Sequence, residues 1–365
     1  MSAPRLEGRP PQAGPHTHAP RPRLGDMALV NIALLPAALW AVYLFGWPAL
    51  NLLLVTLATA LLAEAASLWL AGKPVRPHLS DGSALLTGLI LALSLPPWAP
   101  WWIGVVGGLF AVVVGKQIFG GLGQNIFNPA MLGRTALLVS FPLEMTAWVT
   151  PRPLFTEHAP SFVEGLRITF VGLPDLDAVT SATLLDTAKT AVDQGGTIHG
   201  ATGELFAGIH AFTGLTGGSM GETSALLLAL GGLFLIWRGV IGWQVPAAVL
   251  GAVALLATVF HLIDPDRYLH AGHHLLSGAL VLCAFFIATD PVTSPATRLG
   301  RILFGVGVGV LVWVIRTFGG YPDGNAFAIL LMNALVPLID HYVRPRIYGR
   351  DRRGAPLDTG KEGGR

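Results

Sequence analysis

A short polar stretch of the chain, DLDAVTSATLLD at residues 175–186, places hydroxyl side chains among small residues and aspartates. Phosphoester formation needs a hydroxyl that another enzyme can reach, and a polar segment with small neighbours leaves that approach open. A purely structural alternative is that TSAT begins a helix, since Ser and Thr often cap a run such as LLDTAKTAV. The local pattern is compatible with both interpretations.

Charged residues within apolar segments form a second candidate group, because a charge in lipid is costly and must face protein or a cavity. Glu64 lies deep in an apolar segment, where it could bind an ion, be protonated, or bond to a neighbouring helix. Arg134 could offset the charge of a cofactor or substrate, or have a structural partner. Carboxylates at segment ends, which are candidate ion or proton ligands or helix caps, are Asp81, Asp290, Asp323 and Asp340.

The composition places these residues in an integral membrane protein, since 52% of the 365 residues are hydrophobic and only 12% are charged. The net charge of +2 identifies no partner. The apolar composition makes membrane lipid the expected environment, and no nucleic-acid partner is expected. The single cysteine, Cys283, excludes an internal disulfide and an iron–sulfur site made from cysteines of this chain alone. Any electron carrier of the chain must then be organic. No bound metal is predicted, because the histidines show no ligand spacing.

Apolar segments that approach the length of a bilayer crossing recur about ten times, five on each side of one polar interval. The sequence therefore predicts an all-α integral membrane protein with about ten transmembrane helices. Residues 1–25 are predicted to be a disordered tail, and residues 343–365 a basic tail. The predicted crossings are residues 26–45, 49–71, 83–97, 101–118, 127–142, 223–241, 243–263, 273–289, 299–317 and 325–342.

Basic residues near the segment ends predict the orientation, because short cytoplasmic loops are enriched in Lys and Arg. Both termini, with their tails, are predicted to be cytoplasmic. Five crossings then place the interval 143–222 on the external side. Apart from the C-terminal tail, the basic residues behind this assignment are Arg5, Arg9, Arg21, Arg23, Lys73, Arg76, Lys116, Arg238, Arg298 and Arg301.

The two halves of the chain, residues 26–142 and 223–342, resemble each other. LLTGLILALSLPP and FGGLGQNIF in the first half correspond to LLSGALVLCAFFIATDP and FGGYPDGNAF in the second, at similar separations. Copies with five crossings each have opposite orientations, so we predict two inverted five-helix repeats related by an axis in the membrane plane. Stretches rich in Gly and Pro predict interrupted helices that are buried in protein or line a polar cavity, at residues 94–100, 120–130, 289–297 and 318–326.

Long motifs spread over residues 26–349 resemble one known family: DGSALLTGLILALSLPP, GKQIFGGLGQNIFNPAMLGR, GSMGETSALL, FFIATDPVTSP and GGYPDGNAFAILLMNALVPLID. They are similar to the D subunit of the Rnf electron-transport complex, which resembles the B subunit of the sodium-pumping NADH:quinone oxidoreductase. The resemblance implies a subunit of an ion-translocating ferredoxin:NAD+ oxidoreductase in a bacterial inner membrane, with residues 143–222 in the periplasm. Its partners would be membrane, flavin and iron–sulfur subunits. The translocated ion would be Na+ or H+.

The same resemblance implies an FMN joined through its phosphate to a threonine by a flavin transferase that reads Asp-x-x-Ser/Thr-Gly-Ala-Thr. In this chain the matching residues are Asp177, Thr180, Ser181, Ala182 and Thr183, with Thr183 as the acceptor. Ser181 replaces the usual glycine, and because serine is also small we expect the transferase to tolerate it. A second, noncovalent flavin such as riboflavin is also implied, at a site that the sequence does not locate.

Two alternatives concern the phosphate and the function. The turn GSMGET at residues 218–223 could offer backbone amides to the phosphate, or be a plain loop with Glu222 or Thr223 as a helix cap. Inverted five-helix repeats also resemble urea transporters, so the chain could be a solute channel or transporter without a redox cofactor. The DxxTSAT segment distinguishes these functions, because a passive pore does not require it.

Overall fold

The computed structural model describes residues 23–172, 183–194, 198, 217–222, 224–321 and 323–344. The side chains of residues 23, 24, 184 and 193 are not described either. Within this part of the chain, α-helices joined by turns and short connections form the fold. Several residues singled out in the sequence lie outside it: Asp177, Thr180, Ser181, Ala182 and Thr223, with most of both predicted tails.

The first half contains six helices within the described residues, one of them continuing as a π-helix. Helix α1 begins at Arg23, slightly before the predicted end of the N-terminal tail. The helices are α1 (Arg23–Phe45), α2 (Trp47–Leu70), α3 (Val75–Leu79), α4 (Ser83–Leu93), α5 (Trp101–Leu109, followed by the π-helical Phe110–Gln117) and α6 (Pro129–Ser140).

The polar interval and the second half contain the remaining described helices. The interval includes three helices, α7 (Pro142–Thr146), α8 (Phe162–Phe170) and α9 (Leu184–Asp193), and a 3-10 turn at Met220–Glu222. The second half consists of α10 (Ala225–Trp237), α11 (Gln244–Ile263), α12 (Ala271–Leu276), α13 (Leu280–Leu282, followed by the π-helical Cys283–Ile287), α14 (Arg298–Phe318) and α15 (Asn325–Tyr342).

Five helices in the described part of the chain are long and apolar enough to cross a membrane, namely α1, α2, α11, α14 and α15. Shorter apolar helices are Ser83–Leu93, Trp101–Gln117 and Ala225–Trp237. The length of the long helices matches a bilayer core, since about 20 helical residues span roughly 30 Å. The all-α membrane class predicted from the sequence is therefore confirmed.

The predicted eighth crossing, residues 273–289, is wrong as a continuous helix. Helix α12 ends at Leu276, and Gly278 has a φ of +67°, a left-handed conformation that glycine adopts without strain. A Cβ at Gly278 would lie 2.4 Å from Arg316 Nη2, so the guanidinium also occupies the space of a side chain. The break therefore lies against a residue of α14, a neighbour that the local sequence does not reveal.

Contacts between the helices follow a similar order in the two halves. Helix α2 packs against α4 and α5, while α11 packs against α12 and α14. Helix α6 contacts the π-helical end of α5, as α15 contacts α14, and α6 and α15 also touch each other. Helices α11 and α14 pack closely at Gly305 and Gly309. A Cβ at Gly305 would lie 2.9 Å from Val245 O, and a Cβ at Gly309 would lie 2.6 Å from Val249 O.

The polar interval is more than a loop, because one end of it enters the core. Backbone N–H groups of Arg152 and Leu154 donate to the carbonyls of Leu44 and Tyr43, which fixes this stretch to the end of α1. At the other end, Met220 is 1% exposed, and a Cβ at Gly221 would lie 2.9 Å from Leu93 O. The turn 220–222 therefore inserts beside the C-terminal end of α4.

Candidate functional site

Thr183 is the N-cap of α9. Its Oγ1 accepts a hydrogen bond of 3.2 Å from the backbone N–H of Asp186, and the residue is only 8% exposed. The interpretation of TSAT as a helix start thus holds for the unmodified chain. The same geometry places Oγ1 at the amino end of a ten-residue helix, where the dipole and free N–H groups favour an anion. A cap and a phosphate attachment point are therefore compatible.

Helix α9 packs on the second half of the protein. Leu185 and Ala188 form a buried cluster with Leu269, which lies in the connection between α11 and α12. Leu185 lies close to α14 beside Gly278. A Cβ at Gly278 would be 3.4 Å from Leu185 Cδ1 and 2.4 Å from Arg316 Nη2 of α14. The Thr183 cap thus lies next to the broken helix and near a buried arginine.

A buried charge cluster joins the two halves. Arg134 on α6 approaches Asp323, with 2.7 Å between Nη2 and Oδ2, although the contact lacks the alignment of a hydrogen bond. Arg316 on α14 approaches the other oxygen of Asp323 at 3.7 Å. Side-chain exposure is 4% for Arg134, 0% for Arg316 and 9% for Asp323. Charges this well shielded from solvent require partners.

Glu222 adds a second carboxylate to this cluster. It lies in the inserted turn, where its Oε1 accepts a hydrogen bond of 2.8 Å from Ser219 Oγ. Glu222 interacts electrostatically with Asp323, Arg134 and Arg316. The cap of α10 is Ser224, which accepts from Leu227 N–H, so the proposed capping role of Glu222 is not observed.

Polar atoms without hydrogen-bond partners among the described residues surround Asp323. They are Arg316 Nε and Nη2 and both amide atoms of Asn325, whose residue is 1% exposed. Arg316 Nη1 does donate to His274 O over 2.8 Å, at the end of α12. The cluster therefore sets two guanidinium groups beside two carboxyl groups and retains unused hydrogen-bonding capacity.

A cavity of about 610 Å³ lies at the opposite end of α11 from α9, because its wall includes Val240 and Ile241 just before that helix begins. Residues at the start of α1, such as Met27, also line it. Both π-helical segments reach its wall, one through Lys116 and the other through Phe285 and Phe286; such segments often occur at functional sites. Its polar lining includes Asp26, Asp81, Ser83, Asn125, Asn128 and Asp290.

Lys116, a residue of this cavity wall, forms a buried ion pair with Glu64. Lys116 Nζ lies 2.7 Å from Oε1 and 2.9 Å from Oε2, and it also donates to Ser83 Oγ over 2.6 Å. Gln117 Nε2 donates to Glu64 Oε1 over 3.0 Å. Glu64 is thus bonded to a neighbouring helix, as one sequence interpretation proposed. Lys116 is a buried partner of Glu64 rather than a free interfacial cation, so it does not count among the basic residues of the short loops.

The other carboxylates named in the sequence organise turns. Asp81 Oδ1 accepts from the N–H of Ser83 at the start of α4, and Asp290 accepts from Val292 N–H and Thr293 Oγ1. Asp340 accepts from Ala296 N–H over 3.2 Å, which places the end of α15 near the start of α14. The structure therefore brings only Asp323 into contact with Arg134.

Asn333 links the two interrupted regions beside the cavity. Its Oδ1 accepts from Asn128 N–H over 3.0 Å, and its Nδ2 donates to Thr293 O over 2.9 Å. Asn128 in turn caps α6 by accepting from Met131 N–H. A polar side chain in the apolar sequence of α15 was the signal that sequence reasoning missed.

Three further residues were missed as site candidates: Glu222, Arg316 and Lys116. Arg316 lies inside an apolar segment, so the rule that was applied to Glu64 and Arg134 could have found it. Among the described residues, no group of three or more His, Cys, Asp and Glu side chains could hold a metal ion. Cys283 is a buried free thiol.

Comparison with known proteins assigns the chain to a family. Residues 11–349 match the NQR2, RnfD, RnfE family. A protein of Halorhodospira halophila, named as the D subunit of an ion-translocating oxidoreductase complex, is 60% identical over 351 residues, covering 96% of this chain and 98% of that protein. Proteins of the same name from Stutzerimonas stutzeri and Escherichia coli O1:K1 are 54% and 44% identical, over 92% and 94% of this chain and 94% and 98% of their own lengths. The chain therefore belongs to the NQR2, RnfD, RnfE family.

Proposed function

We propose that the chain is the membrane-embedded D subunit of an Rnf-type ion-translocating oxidoreductase complex. Its near full-length similarity to proteins of that name is the observation that carries the proposal. The complex would connect ferredoxin and NAD through flavin and iron–sulfur subunits while it moves Na+ or H+. The chain contributes redox and ion-conducting parts to the assembled complex and is not catalytic alone.

In this proposal Thr183 carries FMN through a phosphoester. A flavin exchanges electrons singly or in pairs, so it links one-electron and two-electron carriers. The amino end of α9 supports the assignment, because its N–H groups and dipole favour the phosphate. Since Thr183 is buried as a cap, we expect the flavin transferase to act before α9 packs. Arg134 lies in the buried cluster that α9 approaches through Leu185 and Arg316, so its proposed role in offsetting cofactor charge is retained.

A noncovalent flavin, such as riboflavin, is assigned to the cavity between the π-helical segments. Its volume of about 610 Å³ lies within the usual range for pockets that hold organic ligands. Phe285 and Phe286 offer ring contacts, while Asn125 and Asn128 could bond to the polar edge of a flavin. The two flavins would then lie towards opposite ends of α11.

The membrane arrangement in this proposal is two inverted five-helix repeats, about ten crossings in all, in a bacterial inner membrane. The matching order of contacts, with α2 between α4 and α5 and α11 between α12 and α14, supports the repeat. We place the cavity face and both termini on the cytoplasmic side, and residues 143–222, including α9, on the periplasmic side. This choice follows from the basic residues of the short loops other than Lys116.

Retention of flavin after denaturation tests the proposal. The wild-type chain, co-expressed with a flavin transferase, should show flavin fluorescence on a denaturing gel and a mass increment of FMN on Thr183. Thr183→Ala should be dark, while Thr187→Ala is the matched control, because Thr187 lies one turn further along and its Oγ1 only donates to Thr183 O. A dark wild type would refute the redox assignment and favour a solute channel. An increment on another residue would refute only the site.

A further inference from the structure

The Lys116 ammonium occupies a position surrounded by oxygen atoms. Two carboxylate oxygens of Glu64 and the hydroxyl of Ser83 lie between 2.6 and 2.9 Å from Nζ. Carboxylate and hydroxyl oxygens are also the donors that bind hard metal cations and protons in transporters. These oxygens therefore form a site for a monovalent cation, and the ammonium of Lys116, a side chain of the same protein, occupies it.

Lys116 separates Glu64 from the cavity. Lys116 and Ser83 belong to the cavity wall, whereas Glu64 is 2% exposed and lies behind them. Ser83 is bonded in turn to Asp81, which also lines the cavity. Glu64, Lys116, Ser83 and Asp81 thus form a continuous polar chain from a buried carboxylate to the cavity.

Helix packing alone gives no reason for this ion pair. Helices α2 and α5 already meet closely at Gly104 and Gly108, where a Cβ would lie 2.5 Å from Thr56 Oγ1 and 3.2 Å from Thr59 Cγ2. Buried ion pairs add little stability compared with apolar side chains of similar size. Charged residues inside a membrane protein instead mark ion pathways. The π-helical distortion at Phe110–Gln117 is a further feature that often accompanies function.

We propose that Lys116 is a movable counter-cation that couples negative charge in the cavity to cation uptake at Glu64. The proposal rests on the proposed function, because it requires the noncovalent flavin in the cavity. When a reduced carrier of the complex delivers one electron there, the ammonium turns from Glu64 towards the cavity. Glu64 then keeps its hydrogen bond from Gln117 Nε2 but is a buried carboxylate without a counter-charge. It takes up one Na+ or H+, which balances the electron. No covalent bond of the chain forms or breaks except O–H if the cation is a proton.

The long flexible stem of lysine allows this movement. Lysine carries a compact charge on four methylene groups, and rotation about them moves the charge without a change in the backbone. Arginine at the same position would hold the carboxylate with a planar, bidentate fork. Charge and flexibility are therefore both required at residue 116.

The decisive variant is the double replacement Glu64→Gln with Lys116→Met in the assembled complex, reconstituted in liposomes. Removal of both charges avoids an unpaired buried ion, so the complex should fold and retain its flavins. We expect electron transfer to continue while cation transport per electron is lost. Transport at the wild-type ratio would overturn the proposal. Thr59→Ala is the matched control on α2, because its hydroxyl donates only to Val55 O of its own helix.

A milder variant provides an independent test if the double variant does not assemble. Ser83→Ala removes one oxygen ligand of Lys116 and leaves the ion pair in place. We expect a changed Na+ concentration or pH at half-maximal coupled transport, and an unchanged value would overturn the proposal. Flavin released by denaturing the wild-type complex distinguishes the assignment of a flavin to the cavity from the role of Lys116. Absence of noncovalent flavin refutes the cavity assignment in the proposed function, whereas flavin with unaltered coupling in the variants refutes the role of Lys116.

Discussion

Replacement of Asp323 by Asn should destabilise the protein more than replacement of Arg134 by Gln. Asp323 is the carboxylate that approaches both arginines, at 2.7 Å for Arg134 and 3.7 Å for Arg316. Its neutralisation leaves two buried guanidinium groups with Glu222 as the remaining nearby carboxylate. The loss of Arg134 still leaves Asp323 beside Arg316.

The magnitude follows from the cost of an unpaired buried charge. Breaking a buried ion pair typically costs about 3–5 kcal/mol in free energy of unfolding. We expect Asp323→Asn to lie near the upper end of this range and Arg134→Gln near the lower end, because Arg316 compensates in the second case. Asp340→Asn is the control, at the far end of α15 from the cluster. It affects a single bond to Ala296 N–H, so its cost should stay below about 1.5 kcal/mol.

The single cysteine supplies the assay. Cys283 is buried, so a thiol-reactive dye becomes fluorescent only when the protein opens on heating. The transition temperature in detergent should fall in the order wild type, Asp340→Asn, Arg134→Gln, Asp323→Asn. Equal effects for Arg134→Gln and Asp323→Asn would show that Arg316 does not depend on Asp323. The reasoning about the charge cluster would then be wrong.

Two further predictions concern packing and the cavity wall. Gly309→Ala should lower the free energy of unfolding by about 1–3 kcal/mol, because its Cβ would lie 2.6 Å from Val249 O. The control Gly251→Ala on α11 meets nothing within 4 Å and should be neutral or stabilising. The same dye assay compares the two variants, and equal effects would contradict close α11–α14 packing. Asn333→Leu leaves Asn128 N–H and Thr293 O without their partner, at a cost of about 1–3 kcal/mol each in free energy of unfolding. It should also reduce the noncovalent flavin retained on purification. Full retention of flavin with unchanged stability would contradict the role of Asn333 as a link between the two interrupted regions.

Helix positions were largely predictable from the sequence. The predicted crossings 49–71 and 325–342 correspond to Trp47–Leu70 and Asn325–Tyr342. Asn128 and Pro129 mark the start of α6 through a cap and a fixed φ, both properties of the residues themselves. Hydropathy and capping are local properties, so they can be read from the sequence without knowledge of the fold.

The partners of the charged residues were not predictable. Glu64 and Lys116 are separated by 52 residues and lie on different helices, and an isolated charge in an apolar segment does not name its partner. From its position alone, Arg134 was predicted either to offset cofactor or substrate charge or to have a structural partner. Its contact with Asp323 depends on α6 and α15 meeting across the two halves.

The sequence by itself therefore determined that the chain belongs in a membrane, where most helices begin and end, and which family it resembles, because hydropathy and contiguous motifs are read along the chain. Only the tertiary structure decided that the chain turns at Gly278 after α12, that Lys116 in the cavity wall pairs with Glu64, and that Arg316 joins Arg134 at Asp323. These features depend on distances between segments far apart in sequence, and only packing sets those distances.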